Sequence, residues 1–125
     1  MANYLERTFG SGGNLKKWTA SLWFKPSVVQ ANNQHIFSVV GDSGNDEGLI
    51  RYRLSQNGVI ECSQADNGVF ADLEPRNQLR DPASWYHIVY TWDSGNSTSG
   101  DRCIVYINGV RATSFGTETY PSLNA

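Results

Sequence analysis

The sequence predicts an all-β protein, an antiparallel β-sandwich, and three observations carry that prediction. Two of the three Asn-Gly dipeptides, Asn57-Gly58 and Asn108-Gly109, each stand between runs of alternating or β-branched residues. Both central residues of a type I′ turn need positive φ, so this dipeptide is a strong short hairpin signal. No segment sustains an apolar period of 3.6 residues, which removes the helical alternatives. The stretch Ser84–Phe115 is dense in aromatic and β-branched residues at alternating positions. That is the composition of a pleated surface packed against a core.

Taken in chain order, Tyr4–Phe9 alternates as a short half-buried strand, and Gly10–Asn14 is too glycine-rich to be other than a loop. Trp18–Lys25 is a strand with Trp18, Ala20, Leu22 and Phe24 on one face and Trp23 on the other; Pro26 ends it because proline cannot donate to a ladder. Val28–Gln34 connects to an apolar strand, His35–Val40. Gly41–Gly48 is acidic and polar, and is predicted as a surface loop. Leu49–Leu54 and Val59–Gln64 form the first Asn-Gly hairpin, and Asp66-Asn67-Gly68 turns into a weaker strand at Val69–Leu73.

Glu74–Pro82 then crosses towards the long strand, with a turn at Arg80-Asp81-Pro82. In that strand Trp85, His87, Val89 and Thr91 share one face and Tyr86, Ile88, Tyr90 and Trp92 the other. A polar loop from Asp93 to Gly100 leads into Arg102–Ile107, with Cys103, Val105 and Ile107 on one side. After the Asn108-Gly109 turn a third strand runs to Phe115, and no strong signal follows it.

With 125 residues, the chain is predicted to form a single domain spanning residues 1–125. A net charge of −2 gives no basic field for nucleic acid or an acidic membrane surface, and no apolar run reaches membrane-spanning length. The N-terminal residues lack the basic and apolar regions of a secretory signal, so none is expected. That favours free, buried thiols at Cys62 and Cys103, although a disulfide stays open, since sequence cannot supply its geometry.

Trp85-Tyr86-His87-Ile88-Val89-Tyr90-Thr91-Trp92-Asp93, followed by a polar loop and Tyr106-Ile107-Asn108-Gly109-Val110, resembles the central signature of the laminin G-like and pentraxin-like branch of the concanavalin A-like lectin/glucanase sandwiches. Tyr4-Leu5-Glu6-Arg7-Thr8-Phe9-Gly10, Lys16-Lys17-Trp18-Thr19 and Arg80–His87 are similar to laminin G-like modules of tailed-phage virion proteins, particularly marine ones. The resemblance implies a concanavalin A-like jelly roll, here shortened at the C-terminus, because the closing strands that normally follow the Asn-Gly hairpin find no match. A shortened sandwich would expose strand edges, so self-association into a homo-oligomer is expected.

The resemblance also implies a non-enzymatic recognition or structural module of a virion, such as a tail fibre or capsid-associated component. Made in the host cytoplasm, it would bind glycan or another virion protein. A purely structural, oligomer-forming component and a glycoside hydrolase are the alternatives. Hydrolases of this fold carry paired carboxylates in an E-x-D-x-x-E pattern, which is absent, and Glu61, Asp72 and Glu74 read as isolated. His87 reads as a structural histidine of a core strand.

Modules of this kind often bind calcium through loop oxygens. Asp42, Asn45, Asp46 and Glu47 in one acidic loop, with Asp93 and Asp101 flanking another, are the candidate ligands. For a glycan the candidate contacts are Tyr52, Arg51, Arg53 and Trp92, with Trp23 and Tyr86 as further aromatics. Arg51 and Arg53 are expected on the face opposite Tyr52.

Overall fold

In a computed structural model, residues 13–14, 16–26, 33–40, 46–53, 58–66 and 69–125 are described. The strand expected at Tyr4–Phe9 lies outside them. Two antiparallel sheets make a sandwich. The first joins β1 (Lys17–Phe24), β6 (Tyr86–Asp93), β7 (Cys103–Ile107) and the two-residue β8 (Val110–Arg111), in the spatial order β1-β6-β7-β8. The second joins β2 (Gln34–Val40), β3 (Asp46–Arg53), β4 (Val59–Asp66), β5 (Val69–Pro75) and β9 (Phe115–Thr119), in the order β2-β3-β4-β5-β9.

The core lies between the sheets and follows from period-two alternation. β6 contributes Ile88, Tyr90 and Trp92, and β7 contributes Cys103, Val105 and Ile107. From the other sheet come Ile50 and Tyr52 of β3, Ile60 and Cys62 of β4, and Ala71 and Leu73 of β5. Trp18 of β1 meets Tyr90 edge-on at 5.3 Å and stacks on Trp92 at 5.9 Å. Both cysteines are free and buried, and burial pushes the Cys103 thiol up to about 12. They act as small apolar core residues.

Three elements differ from the sequence reading. β3 begins at Asp46, so Asp46 and Glu47 belong to a strand and not to the acidic loop. β5 runs on to Pro75, which the sheet accepts because a bulge at Glu74/Pro75 interrupts the ladder where the missing N–H would be needed. Third, the strand expected after Asn108-Gly109 is two residues long, and the residues from Phe115 onward, which carry no sequence signal, form β9 against β5.

The last residues are tied down beyond β9. The Asn124 N–H donates to the Ser94 carbonyl at 2.8 Å, the buried Ser94 hydroxyl donates to the Ala125 carbonyl at 2.6 Å, and Arg102 reaches the Pro121 carbonyl at 2.9 Å. These contacts are long-range hydrogen bonds of side chain or loop to backbone, which local sequence patterns do not report.

Candidate functional site

Each sheet turns one face outward, and the residues with chemistry separate onto those two faces. On the five-stranded sheet, Arg51 of β3 stands opposite Glu61 of β4. Arg51 grips the carboxylate with two bonds of 2.6 Å, and Arg53 reaches the same group at 3.0 Å and also pairs with Glu74 of β5. The Thr117 hydroxyl of β9 donates to the other Glu74 oxygen at 3.1 Å. Asp72 of β5 stands opposite Ser63 of β4, two residues before Glu74, and burial followed by repulsion from Glu61 raises its pKa, with Arg51 and Arg53 opposing the rise.

Glu61, Asp72 and Glu74, which read as isolated in sequence, thus offer carboxylate oxygens within 4.8 Å of one another. Adjacent antiparallel strands bring together residues eleven to thirteen positions apart, and no spacing rule within one strand detects that. The separation is comparable to the roughly 5–5.5 Å of a retaining glycosidase pair. Yet both Glu61 oxygens and both Glu74 oxygens already accept bonds from guanidinium or hydroxyl groups, and Glu61 is 4% exposed. A hard cation wants about six to eight oxygen ligands free to turn towards it. Here the cationic positions are filled by arginine, so the cluster does not fit calcium.

The other calcium candidates divide. Asp42 and Asn45 lie outside the described residues. Asp93 pairs with Lys17 at 2.8 Å and Asp101 with Arg111 at 2.6 Å, so each carboxylate already has its own cation.

Two of the four glycan candidates are overturned. Tyr52 is 2% exposed, and its hydroxyl donates to the Leu79 carbonyl at 2.7 Å; Trp92 is 2% exposed beneath Trp18. Alternation separates two faces of a strand without saying which one is core, and these rings took the inner one. Arg51 and Arg53 do face away from Tyr52 as expected, but in the ion-pair network.

The four-stranded sheet turns a different surface outward. Trp23 is 64% exposed and Trp85 61%. Trp23 of β1 is the cross-strand partner of His87 of β6, and their rings stack with centroids 4.7 Å apart and planes 18° from parallel. The Ser21 hydroxyl lies 2.9 Å from His87 Nε2. Asn108, in the left-handed region at φ 51°, fixes this position from the turn: its side-chain oxygen accepts from the His87 N–H at 2.9 Å, and its own N–H donates to the His87 carbonyl at 2.8 Å. His87 is therefore not a core residue; it faces outward and props an indole.

Trp85 stands one residue before β6. The turn that feeds it is held by Asp81, whose side chain accepts from the Ala83 N–H at 2.8 Å and from the Ser84 hydroxyl. A third surface feature, a cleft of about 690 Å³ between β1 and the β2–β3 pair, is walled mainly by apolar side chains such as Trp18, Leu22, Phe37 and Leu49. Gln64 and Tyr90 also line it, and Gln64 Oε1 and the Tyr90 hydroxyl are buried without a hydrogen-bond partner.

The signal for the Trp23–His87 site lay in the alternation pattern. Trp23 is the one large aromatic opposite four core-facing residues in its strand, and His87 and Thr91 make the outer face of β6 the more polar one.

The two antiparallel sheets form a β-sandwich of the concanavalin A-like class. The chain is a member of the concanavalin A-like lectin/glucanases superfamily: the Laminin_G_3 family model matches it over residues 4–125. No curated protein and no solved structure matches the chain.

Proposed function

We propose that this chain is a non-enzymatic recognition module that binds glycan through the outer face of its four-stranded sheet. The observation that carries the reading is the Trp23–His87 stack, an indole 64% exposed yet braced by a ring whose backbone N–H and carbonyl are both held by Asn108. Exposing so much apolar area to water is unfavourable unless a partner covers it. Binding is favoured over hydrolysis because Glu61 and Glu74, the two glutamates that converge on the other sheet, are held in ion pairs by Arg51 and Arg53.

The setting we propose, a phage virion in which the module is part of a tail fibre or capsid-associated component and self-associates, is carried by the sequence resemblance alone. Calcium, which the resemblance also implies, is left to the segment 42–47, since Glu61, Glu74, Asp93 and Asp101 are each paired with arginine or lysine. A glycan array probed with the wild-type chain tests the central reading. Binding to a defined set of glycans is expected, and an array without any bound glycan would overturn it.

A further inference from the structure

We propose that the cleft between β1 and the β2–β3 pair takes up an extended peptide that adds as a further strand to the free edge of β1, apolar at alternate positions and acidic at its ends. β1 is the outermost strand of its sheet, with β6 its one described neighbour. The Ser94 N–H donates to the Lys16 carbonyl at 3.0 Å, whereas the Asp93 N–H donates to the Arg102 carbonyl and the His87 carbonyl accepts from Asn108. Along β6, odd-numbered residues therefore turn their backbone groups to β7 and even-numbered ones to β1, since bonded and non-bonded positions alternate in an antiparallel ladder. The register sets Trp92, Tyr90 and Ile88 opposite Trp18, Ala20 and Leu22, so those three bond to β6. Thr19 and Ser21 turn their N–H and carbonyl groups the other way. Both line the cleft, although the Ser21 side chain meets His87 on the outer face. What they present to the cleft is the backbone edge of β1.

A bare strand edge beside an apolar trough is the arrangement that strand addition uses: main-chain hydrogen bonds hold the peptide, and alternate side chains fill the trough. The cleft holds about 690 Å³, and Phe37 and Val39, 41% and 49% exposed, line it from β2. It follows β1 from Trp18 to Leu22. At about 3.3 Å per residue that run admits roughly two or three inward side chains. The occupant's charge follows from what flanks the edge. Residues 14–26 include Lys16, Lys17 and Lys25 and no acidic residue. Lys17 pairs with Asp93, while Lys16 and Lys25 are exposed at the two ends of β1 and in no ion pair among the described residues, Asp81 acting on Lys25 only at longer range. Carboxylates at both ends of a bound peptide would pair with them. The β1 of a second copy, laid antiparallel about Ser21, would instead set Lys17 against Lys25 at both ends, and like charges directly opposite are destabilising.

The test is fluorescence anisotropy of the wild-type chain with the labelled nonapeptide Asp-Asp-Val-Thr-Leu-Thr-Val-Asp-Asp, with a version carrying lysine at every acidic position, and with one N-methylated at both peptide threonines. In the added strand the peptide's valines and leucine face the cleft and its threonine N–H groups face β1. Saturable binding of the acidic peptide is expected, with each of the other two weaker by about tenfold or more. Thr19→Pro, which removes an N–H from the free edge and leaves the bonds to β6, should weaken binding by about tenfold while melting close to the wild type. Equal binding of the N-methylated peptide overturns strand addition, and equal or tighter binding of the lysine peptide overturns the charge assignment. Absence of binding by all three up to about 1 mM overturns the whole. If the chain is instead a dimer by light scattering that Thr19→Pro converts to monomer, a second copy holds the edge and the inference falls. The peptide series uses the wild type alone, so it decides the matter even where Thr19→Pro fails to fold. It also reads a different surface from the glycan array, and neither result depends on the other.

Discussion

Arg51 and Glu61 stand directly opposite one another on β3 and β4, and the guanidinium closes on both carboxylate oxygens at 2.6 Å. The pair is anchored further by Arg53, which joins Glu61 to Glu74. Removing one member of a buried pair leaves an uncompensated charge, whereas replacing the set with apolar residues of similar volume is often neutral. Glu61→Ala is therefore expected to destabilise the fold by about 3–5 kcal/mol. Denaturant unfolding checks this, and a loss below about 1 kcal/mol would mean that water already screens the network.

Asp72 should act in the opposite sense. Its pKa is raised, first by burial and then by Glu61, so the folded chain holds a proton that the unfolded chain has released. Stability then falls as pH rises from the ordinary carboxylate range through the raised value, and the penalty persists at neutral pH. Asp72→Asn removes the charge and should raise the melting temperature at pH 7 while flattening that acid-side slope. A lower melting temperature at pH 7 in the variant would show that attraction to Arg51 and Arg53 outweighs desolvation.

Much of this fold could be read from residue alternation, and the limits of that reading are physical. Trp18, Ala20, Leu22 and Phe24 do face the core and Trp23 does not, because in a strand sidedness is fixed by backbone geometry. Alternation did not say that Tyr52 and Trp92 would be inside, since a lone strand has no inside until its sheet packs. Nor could it reveal the meeting of Glu61, Asp72 and Glu74, which depends on the β4–β5 register. β9 was illegible for a similar reason: Phe115–Thr119 has ordinary strand residues and gains its identity from pairing with β5.

Gly58 and Gly109 make a matched comparison. Gly58 and Gly109 both have positive φ, 76° and 80°. A Cβ on Gly109 meets nothing within 4 Å, so Gly109→Ala should cost about 1–2 kcal/mol from the backbone alone. A Cβ on Gly58 would stand 2.5 Å from the Tyr52 hydroxyl and 3.0 Å from the Leu79 carbonyl, the two atoms that bond to each other. Gly58→Ala should therefore cost clearly more than Gly109→Ala and disturb the environment of Tyr52. Equal losses in the two variants would rule out the crowding argument.

Calcium separates the acidic residues by what already holds them. Asp93 and Asp101 each have a cation at hydrogen-bonding distance, Lys17 and Arg111, in exposed pairs of the kind that contribute about 0–1 kcal/mol. If they were calcium ligands, Asp93→Asn with Asp101→Asn would abolish any rise in melting temperature on adding the ion. The expected outcome is that the calcium response of the double variant equals that of the wild type, with a baseline shift no larger than two weak surface pairs allow. A response lost in the double variant would mean that calcium displaces Lys17 and Arg111, and that the loop between β6 and β7 is a metal site after all.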